Sequence, residues 1–483
     1  MRLLFVLFAV ALAYPINGQI CTCESNFEWV KKTFEENDAG FQYIIGKKGQ
    51  AAYNIHNQLM REKVKVAKTL TECTVLLNEW LKFFRSGHIG IQCLKCETSV
   101  SQNVLQTTNK TGVYETWKGN ISQFEKYISE KKEADYEGIW DYNGIYKIGI
   151  KKEDTNYVGF IIESDVDEWS EPGLVKLKIE QDGDHLKSTF IMRNYSPVES
   201  GEPELMGSNY LQIAQQTLKR LSPVFPDDPF VENYFKYMNA SKPFLEELNA
   251  TTLYLHIPSF NSGNKPAIDK LLADNKDKIL KTENLIIDLR YNGGGSDESY
   301  AELMPFLYTN AIRTPGVEFL STTLNNQRML EFINNPEYEF DEERKKWVQE
   351  AYDKLDKRLG TFVNINPVKI SVEKFDTIHT YPKNVGIIIN EGCASTTEQF
   401  LLAAKQSKKV KLLGVTTMGA LDMSNMWYAE SPCKEFRLRY SLSRSFRIPE
   451  NVIDDIGIQP DYYLDKTIPQ YKWVEFVNEV LNQ

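Results

Sequence analysis

The chain has 483 residues, is 42% hydrophobic and 12% aromatic, and carries a net charge of −10. That composition excludes a disordered chain, allows a large core spread over roughly two to four domains, and makes nucleic-acid binding a poor expectation for so acidic a polypeptide.

Residues 1–18, MRLLFVLFAVALAYPING, hold one early arginine, an apolar stretch from Leu3 to Ala13, and then small and turn residues. This pattern predicts a secretory signal peptide and a secreted or periplasmic protein. The apolar stretch is too short to span a bilayer, and no later segment is long and apolar enough, so an integral membrane protein is not expected. The seven cysteines are Cys21, Cys23, Cys73, Cys93, Cys96, Cys393 and Cys433. Export permits disulfides among them. Cys93-x-x-Cys96 has no second pair at zinc spacing, so it reads as structural bonding, and no metal is expected.

Residues 19–92 read as an N-terminal helical region. Phe27, Val30 and Phe34 share one helical face, and Leu76, Leu77, Trp80 and Phe83 another. The region ends in Arg85-Ser86-Gly87-His88-Ile89-Gly90-Ile91, where a helix stops at a glycine and a short strand follows. His88 sits at that junction; a histidine taken alone is more often structural than chemical. Residues 93–226 alternate apolar and polar positions, as in GIYKIGIKK and YVGFIIES, with an Asp182-Gly183 turn signal. They predict a β-rich, mostly antiparallel module without a chemical motif of its own.

Residues 227–483 read as a catalytic core. A helical connector leads to a strand at 250–260, a helix at 266–282 and a second strand, which is a parallel α/β pattern. A helical insertion at about 311–380 contains DEERKKWVQEAYDKLDKRLG, whose charges are expected to face water as a surface decoration. Two stretches carry the chemistry. NLIIDLRYNGGGSDES, residues 284–299, is a buried strand entering a glycine turn, with helix-starting residues after it; such a junction suits an anion or oxyanion. NVGIIINEGCASTTEQF, residues 384–400, is another buried strand, a turn at Glu391-Gly392, and a helix with Ser395 at its N-terminus. A serine there serves as a cap or as a nucleophile. If the two strands are neighbours, the glycine turn and the Thr396 N–H share one edge of the sheet, and a serine hydrolase becomes the favoured reading.

At this point the chain resembles the C-terminal processing (tail-specific) peptidases and their relatives of the tricorn-core type. The matching stretches are Leu253–Phe260, IIDLRYNGGG, GCASTTEQF and GIQPD at 457–461, and the likeness covers about 230–465. It implies an α/β fold of the crotonase/Clp-like spiral kind, peptide or unfolded-protein substrates, and no cofactor. It implies Ser395 as nucleophile, with Glu398 three residues on, and an oxyanion hole from Gly294, Gly295 and the N–H of Thr396. Many members pair the serine with a lysine in T-x-G-K-G. Here the segment is Thr417-Met418-Gly419-Ala420-Leu421, with Ala420 at the lysine position. This resembles a lysine-less branch that draws a histidine from a segment before the core, and Ser86-Gly87-His88-Ile89-Gly90 fits it. The resemblance thus implies His88 as general base, Ser86 as an accessory serine, and an acid from among Glu450, Asp454 and Asp455, with Asp454 preferred. Two rivals stand beside it: a ligand-binding protein of the same fold that has lost catalysis, and a serine esterase. The residues set no oligomeric state.

Overall fold

A computed structural model describes residues 21–96 and 115–483, apart from 194, 215 and 339; the expected signal peptide at 1–18 lies outside them. The chain groups into two units. One joins the residues up to 98 with Pro243–Tyr463, and the other joins 99–242 with Leu464–Gln483. The N-terminal helices therefore group with the core stretches rather than standing apart, and the final twenty residues group with the β-rich module.

In the first unit, α1 (Cys23–Asn37), α2 (Phe41–Lys48), α3 (Gln50–Val64) and α4 (Leu70–Lys82) form the helical region. Thr22 and Thr69 start α1 and α4 by accepting backbone N–H groups of Ser25 and Glu72 on their hydroxyls. The apolar faces meet around Trp80, whose ring lies 5.7 Å from those of Phe27 and Phe34 and 4.9 Å from that of Phe84. Its indole N–H donates to Asn57 Oδ1 at 2.8 Å, so the buried polar atom is satisfied. Cys23 is bonded to Cys73, Cys93 to Cys96, and Cys21 to Cys433; Cys393 is free and buried.

After α4 the chain enters β1 (Gly90–Cys93). The central sheet has the order β2 (Phe244–Glu247), β3 (Thr252–His256), β4 (Asn284–Asp288), β5 (Asn384–Ile389) and β6 (Val410–Gly414), closed by the short strand Tyr462–Tyr463. Only the β2–β3 pair is antiparallel. Parallel strands are covered on both faces, and this is why NLIID and NVGIII read as nearly unbroken apolar runs. The register aligns Leu255 with Ile287, Ile287 with Ile387, and Ile387 with Leu412. Helix α5 (Lys265–Asp274) and helix α6 (Thr396–Ala404) bury Ile268, Leu272, Phe400 and Leu401 in the same core. Because β4 and β5 are parallel neighbours, the turns that follow them emerge side by side.

A second sheet pairs β1 with β8 (Phe436–Ser445), which also pairs with β7 (Met423–Glu430) and with Val317–Leu320. The insertion differs from the expected surface decoration. Its helices Thr323–Asn334 and Glu342–Asp356 contribute Met329, Val348, Ala351 and Leu355 to the core that also holds Trp80. The charged positions of the second helix leave that stripe intact, since Val348, Ala351 and Leu355 recur at helical spacing.

In the second unit, residues 138–222 form a nine-stranded sheet whose pairings are all antiparallel. Asp182 pairs with His185 across the expected turn, where Gly183 has φ +62°. Among the described residues no helix is long and apolar enough to cross a membrane.

The aromatic cluster makes the helical region integral to its unit. Trp80→Ala is expected to cost about 3–5 kcal/mol, as for other large core aromatics, and to lower the denaturant midpoint of the unit measured by near-UV circular dichroism.

Candidate active site

The turn after β4 is shaped by two glycines. Gly294 has φ +100°, and a Cβ there would stand 2.7 Å from Ala394 O, 2.8 Å from Thr396 N and 2.9 Å from Ser395 Cβ. Gly295 has φ +150°, and a Cβ there would stand 2.2 Å from the Phe260 carbonyl. Only glycine permits both the backbone conformation and the approach. The turn therefore lies directly against the start of α6, as the parallel register of β4 and β5 requires.

A fully buried side chain fastens the two turns together. Asn292 Oδ1 accepts from the Gly294 N–H at 3.0 Å and the Thr397 hydroxyl at 2.8 Å, while its Nδ2 donates to Ile257 O at 3.0 Å. Its backbone carbonyl accepts from the Ala394 N–H at 3.2 Å. The Gly294 N–H is thus already used. Among the described residues, the N–H groups of Gly295 and Thr396 have no acceptor. The structure therefore offers Gly295 and Thr396 as available donors, and Gly294 as the residue that lets the turn approach.

Ser395 has φ +58° and ψ −123°, a conformation that non-glycine residues rarely adopt and that costs of order 1–3 kcal/mol. Neighbouring groups hold it there. Its N–H donates to Ala420 O at 3.1 Å and to Glu398 Oε2 at 3.2 Å. Glu398 is fully buried, and its carboxylate also accepts from the Thr417 hydroxyl at 2.5 Å and the N–H groups of Gly419 and Ala420, each at 2.8 Å. Glu398 therefore ties the serine turn to the loop at 417–420.

His88 Nε2 lies 3.0 Å from Ser395 Oγ, and Nδ1 lies 2.6 Å from the carbonyl oxygen of Met423. A carbonyl only accepts, so Nδ1 carries the proton and Nε2 is left as the acceptor for the serine hydroxyl. Burial holds the imidazole pKa below the ordinary histidine value. The Met423 carbonyl opposes that shift and the Arg85 charge adds to it.

The loop bearing His88 is held by a buried ion pair. Arg85 Nη1 and Nη2 donate to the two carboxylate oxygens of Asp38 at 2.8 and 2.6 Å, and both side chains are almost fully buried. Arg85 also donates to Gly87 O at 3.1 Å and His88 O at 3.0 Å. One guanidinium thus fixes the backbone on both sides of the Gly87–His88 peptide. Gly87 has no room for a side chain: its Cβ would stand 2.3 Å from that of Ala420. The residue at the expected lysine position is therefore packed directly under the histidine loop.

The candidate acids separate into different tasks. Asp455 Oδ1 accepts from the Ser86 N–H at 2.9 Å and the Ser86 hydroxyl at 2.8 Å. Asp454 Oδ1 accepts from the N–H groups of Leu421 and Asp422, each at 2.6 Å, and its Oδ2 from Met423 N–H at 3.1 Å. Asp422 answers by accepting the N–H groups of Ile453 at 2.6 Å and Asp454 at 2.9 Å. Burial and the Asp422 charge push the Asp454 carboxyl up to about 6. The expected direct link from Asp454 to the imidazole is not made, because the partner of His88 Nδ1 is the Met423 carbonyl. Asp454 reaches His88 only through the backbone at 421–423, and Ser86 faces Asp455 rather than extending the His88–Ser395 pair. Glu450 lies on the same loop and is exposed. Asn292 stands beside the glycine turn and Arg85 opens the RSGH segment, whereas Asp38 and Asp422 lie in neither stretch and carry no signal of their own in the sequence.

Comparison with known proteins agrees with this architecture. The family model described as peptidase family S41 matches residues 251–464. No curated protein matches the chain. Among solved structures, mature CPAF complexed with lactacystin is 12% identical at a TM-score of 0.53, covering 95% of this chain and 97% of that chain. Mature CPAF alone is 11% identical at 0.52, covering 95% and 96%. The tricorn protease is 14% identical at 0.40, covering 95% of this chain and 36% of that one. The CPAF likeness is one of fold, and the family match rests on the stretch that carries both turns. Residues 251–464 of the chain are thus similar to the family S41 serine-type peptidases.

Proposed function

We propose that this protein is an exported peptidase that cleaves peptide bonds with Ser395 as nucleophile and His88 as general base, without a lysine. The observation that carries the reading is the His88 tautomer: a protonated Nδ1 on Met423 O leaves Nε2 bare and 3.0 Å from Ser395 Oγ. In the reaction Ser395 Oγ attacks the scissile carbonyl while Nε2 takes its proton. The carbonyl oxygen becomes an oxyanion held by the N–H groups of Gly295 and Thr396, at the positive end of α6. The imidazolium keeps its Nδ1–H on the Met423 carbonyl and gives the Nε2 proton to the leaving amine. Water, deprotonated by the restored His88, then hydrolyses the acyl-serine ester and regenerates Ser395.

In this reading Asp454 is a positioning residue. It fixes the N–H groups of 421–423 and so the carbonyl that orients the base. Arg85 and Asp38 position the other end of the imidazole loop. Ala420 supports the assignment of the base to His88, because the Gly87–His88 loop occupies the space beside it. The three disulfides support export to an oxidising compartment, secreted or periplasmic.

Ser395→Ala is expected to lower kcat on a cleaved peptide by about 10⁴-fold or more, with folding unchanged. His88→Ala is expected to lose nearly as much, and the double variant little more, because the pair acts as a unit. Mass spectrometry of a peptide library with the three variants checks this; hydrolysis surviving in Ser395→Ala sinks the assignment of the nucleophile.

The pH dependence has a definite sign. Protonation of Nε2 removes the base, and burial lowers the pH at which that occurs. The acid limb of kcat/KM is expected below about 6.5, the ordinary histidine value, and an initial-rate profile from pH 4.5 to 8 measures it. A limb well above that value contradicts a buried neutral His88.

Asp38→Asn leaves the Arg85 charge buried without its partner. Loss of one member of such a pair is expected to cost about 3–5 kcal/mol and to lower kcat more than KM is raised, read from urea denaturation and steady-state kinetics. A variant with wild-type stability and turnover would remove the positioning role from this pair.

A further inference from the structure

Beside helix α6 the first unit contains a cavity of about 610 Å³, none of whose lining residues has been given a role in catalysis. Its walls are the last turns of α6 at Leu402, the segment 313–315, and residues 451–453 and 456–459. The volume falls in the range of small-molecule sites. Three features of its lining are notable together. Arg313, Lys405 and Arg447 all line it, and none of its sixteen residues is acidic, in a chain whose acids outnumber its bases 66 to 56. Among the described residues neither Arg313 nor Lys405 is paired with a carboxylate. The rest of the wall is largely aliphatic, including Leu402, Ile453 and Ile456, the last of them 56% exposed.

Arg447 is the built element of this cavity. Its residue is 6% exposed; Nη1 donates to Gln399 Oε1 at 3.0 Å and Nε to Asp422 Oδ1 at 3.3 Å. The guanidinium is thus held in one orientation before any ligand arrives, which lowers the ordering cost of binding an anion. Two cations without a carboxylate partner and one held in place, beside an aliphatic wall, match a carboxylate carrying an apolar chain.

We infer that this cavity is a second binding site, for a carboxylate with a short apolar chain, and that its occupancy is felt at the catalytic residues. The coupling follows from shared parts. Asp422, which accepts from Arg447, also accepts the N–H groups of Ile453 and Asp454. Asp454 in turn fixes Met423, whose carbonyl orients His88. The loop that walls the cavity therefore holds the acceptor of the base, and a ligand competing with Asp422 for Arg447 acts on that loop.

The probe is sodium hexanoate, titrated calorimetrically into the full mature chain carrying Ser395→Ala, so that the result does not depend on the peptidase reading. Hexan-1-ol controls for the apolar chain alone. N-acetyl-leucyl-leucine and its amide distinguish a peptide terminus from a free acid as the source of the carboxylate. Saturable hexanoate binding is expected, at least tenfold weaker for hexan-1-ol and at least tenfold weaker in the double variant Arg313→Glu/Lys405→Glu. That double variant, on the Ser395-containing chain, is expected to retain basal peptide turnover, while hexanoate changes kcat at least twofold only where the cations are intact. Absence of saturable binding, or equal binding by the charge-reversed variant, overturns the site. Binding with no change in kcat overturns the coupling.

Discussion

The buried carboxamide of Asn292 is the point on which the geometry of the candidate site depends. Parallel pairing of β4 and β5 brings two turns to one end of the sheet, but pairing alone does not fix their separation. Asn292 does so with one side chain: Oδ1 collects the Gly294 N–H and the Thr397 hydroxyl, and Nδ2 reaches back to the end of β3. Three strand ends and the first turn of α6 are thereby set against each other in a buried region. A buried amide so fully used is costly to disturb, because each lost partner leaves an unsatisfied polar group. The strained backbone of Ser395 is tolerated inside this frame, since Glu398 and Ala420 hold its N–H from the other side.

The histidine is fixed by a different device. It lies 307 residues before the serine and comes from a loop after the helical region, so its placement depends on contacts across the unit. The Asp38–Arg85 pair supplies one anchor and β1–β8 pairing supplies the next, with Gly90 opposite Arg439. The insertion helices help to bury the same core. The helical region is therefore part of the frame that holds His88 against Ser395. This explains why residues before 98 group with residues after 243 despite the long stretch of chain between them.

Much of this was legible in the sequence, and the part that was not has a physical reason. Apolar run length and glycine placement revealed β4, β5 and both turns, because burial and backbone freedom leave local traces. Ser395 is legible at its strand-to-helix junction, whereas a lone His88 carries no local signal and gains a role only through the family resemblance. Asp38 and Arg85 are 47 residues apart, and nothing in either neighbourhood announces the partner. The division of work between Asp454 and Asp455 was equally hidden, since adjacent acids on a loop differ only in which side they face. The insertion is hard to read for another reason: its many charges mark a solvated face, and the buried stripe of Val348, Ala351 and Leu355 runs between them.

The alanine at position 420 shows why the histidine and a lysine would be alternatives rather than additions. Ala420 O accepts the Ser395 N–H and its N–H is held by Glu398, so its backbone belongs to the serine turn. Its Cβ points at Gly87, with no volume for a second carbon atom between them. A long side chain at 420 would displace the loop that carries His88, and any residue but glycine at 87 would displace Ala420. The two small residues thus form one steric unit: the site accommodates a histidine arriving from the helical region only because nothing is built outward from the loop beside Ser395. That reciprocity also accounts for the anchoring of the histidine loop. A base delivered from so far along the chain has no rigid element of its own near the serine, and the buried guanidinium of Arg85 provides the stiffness that a residue on the adjoining loop would have had from its own backbone.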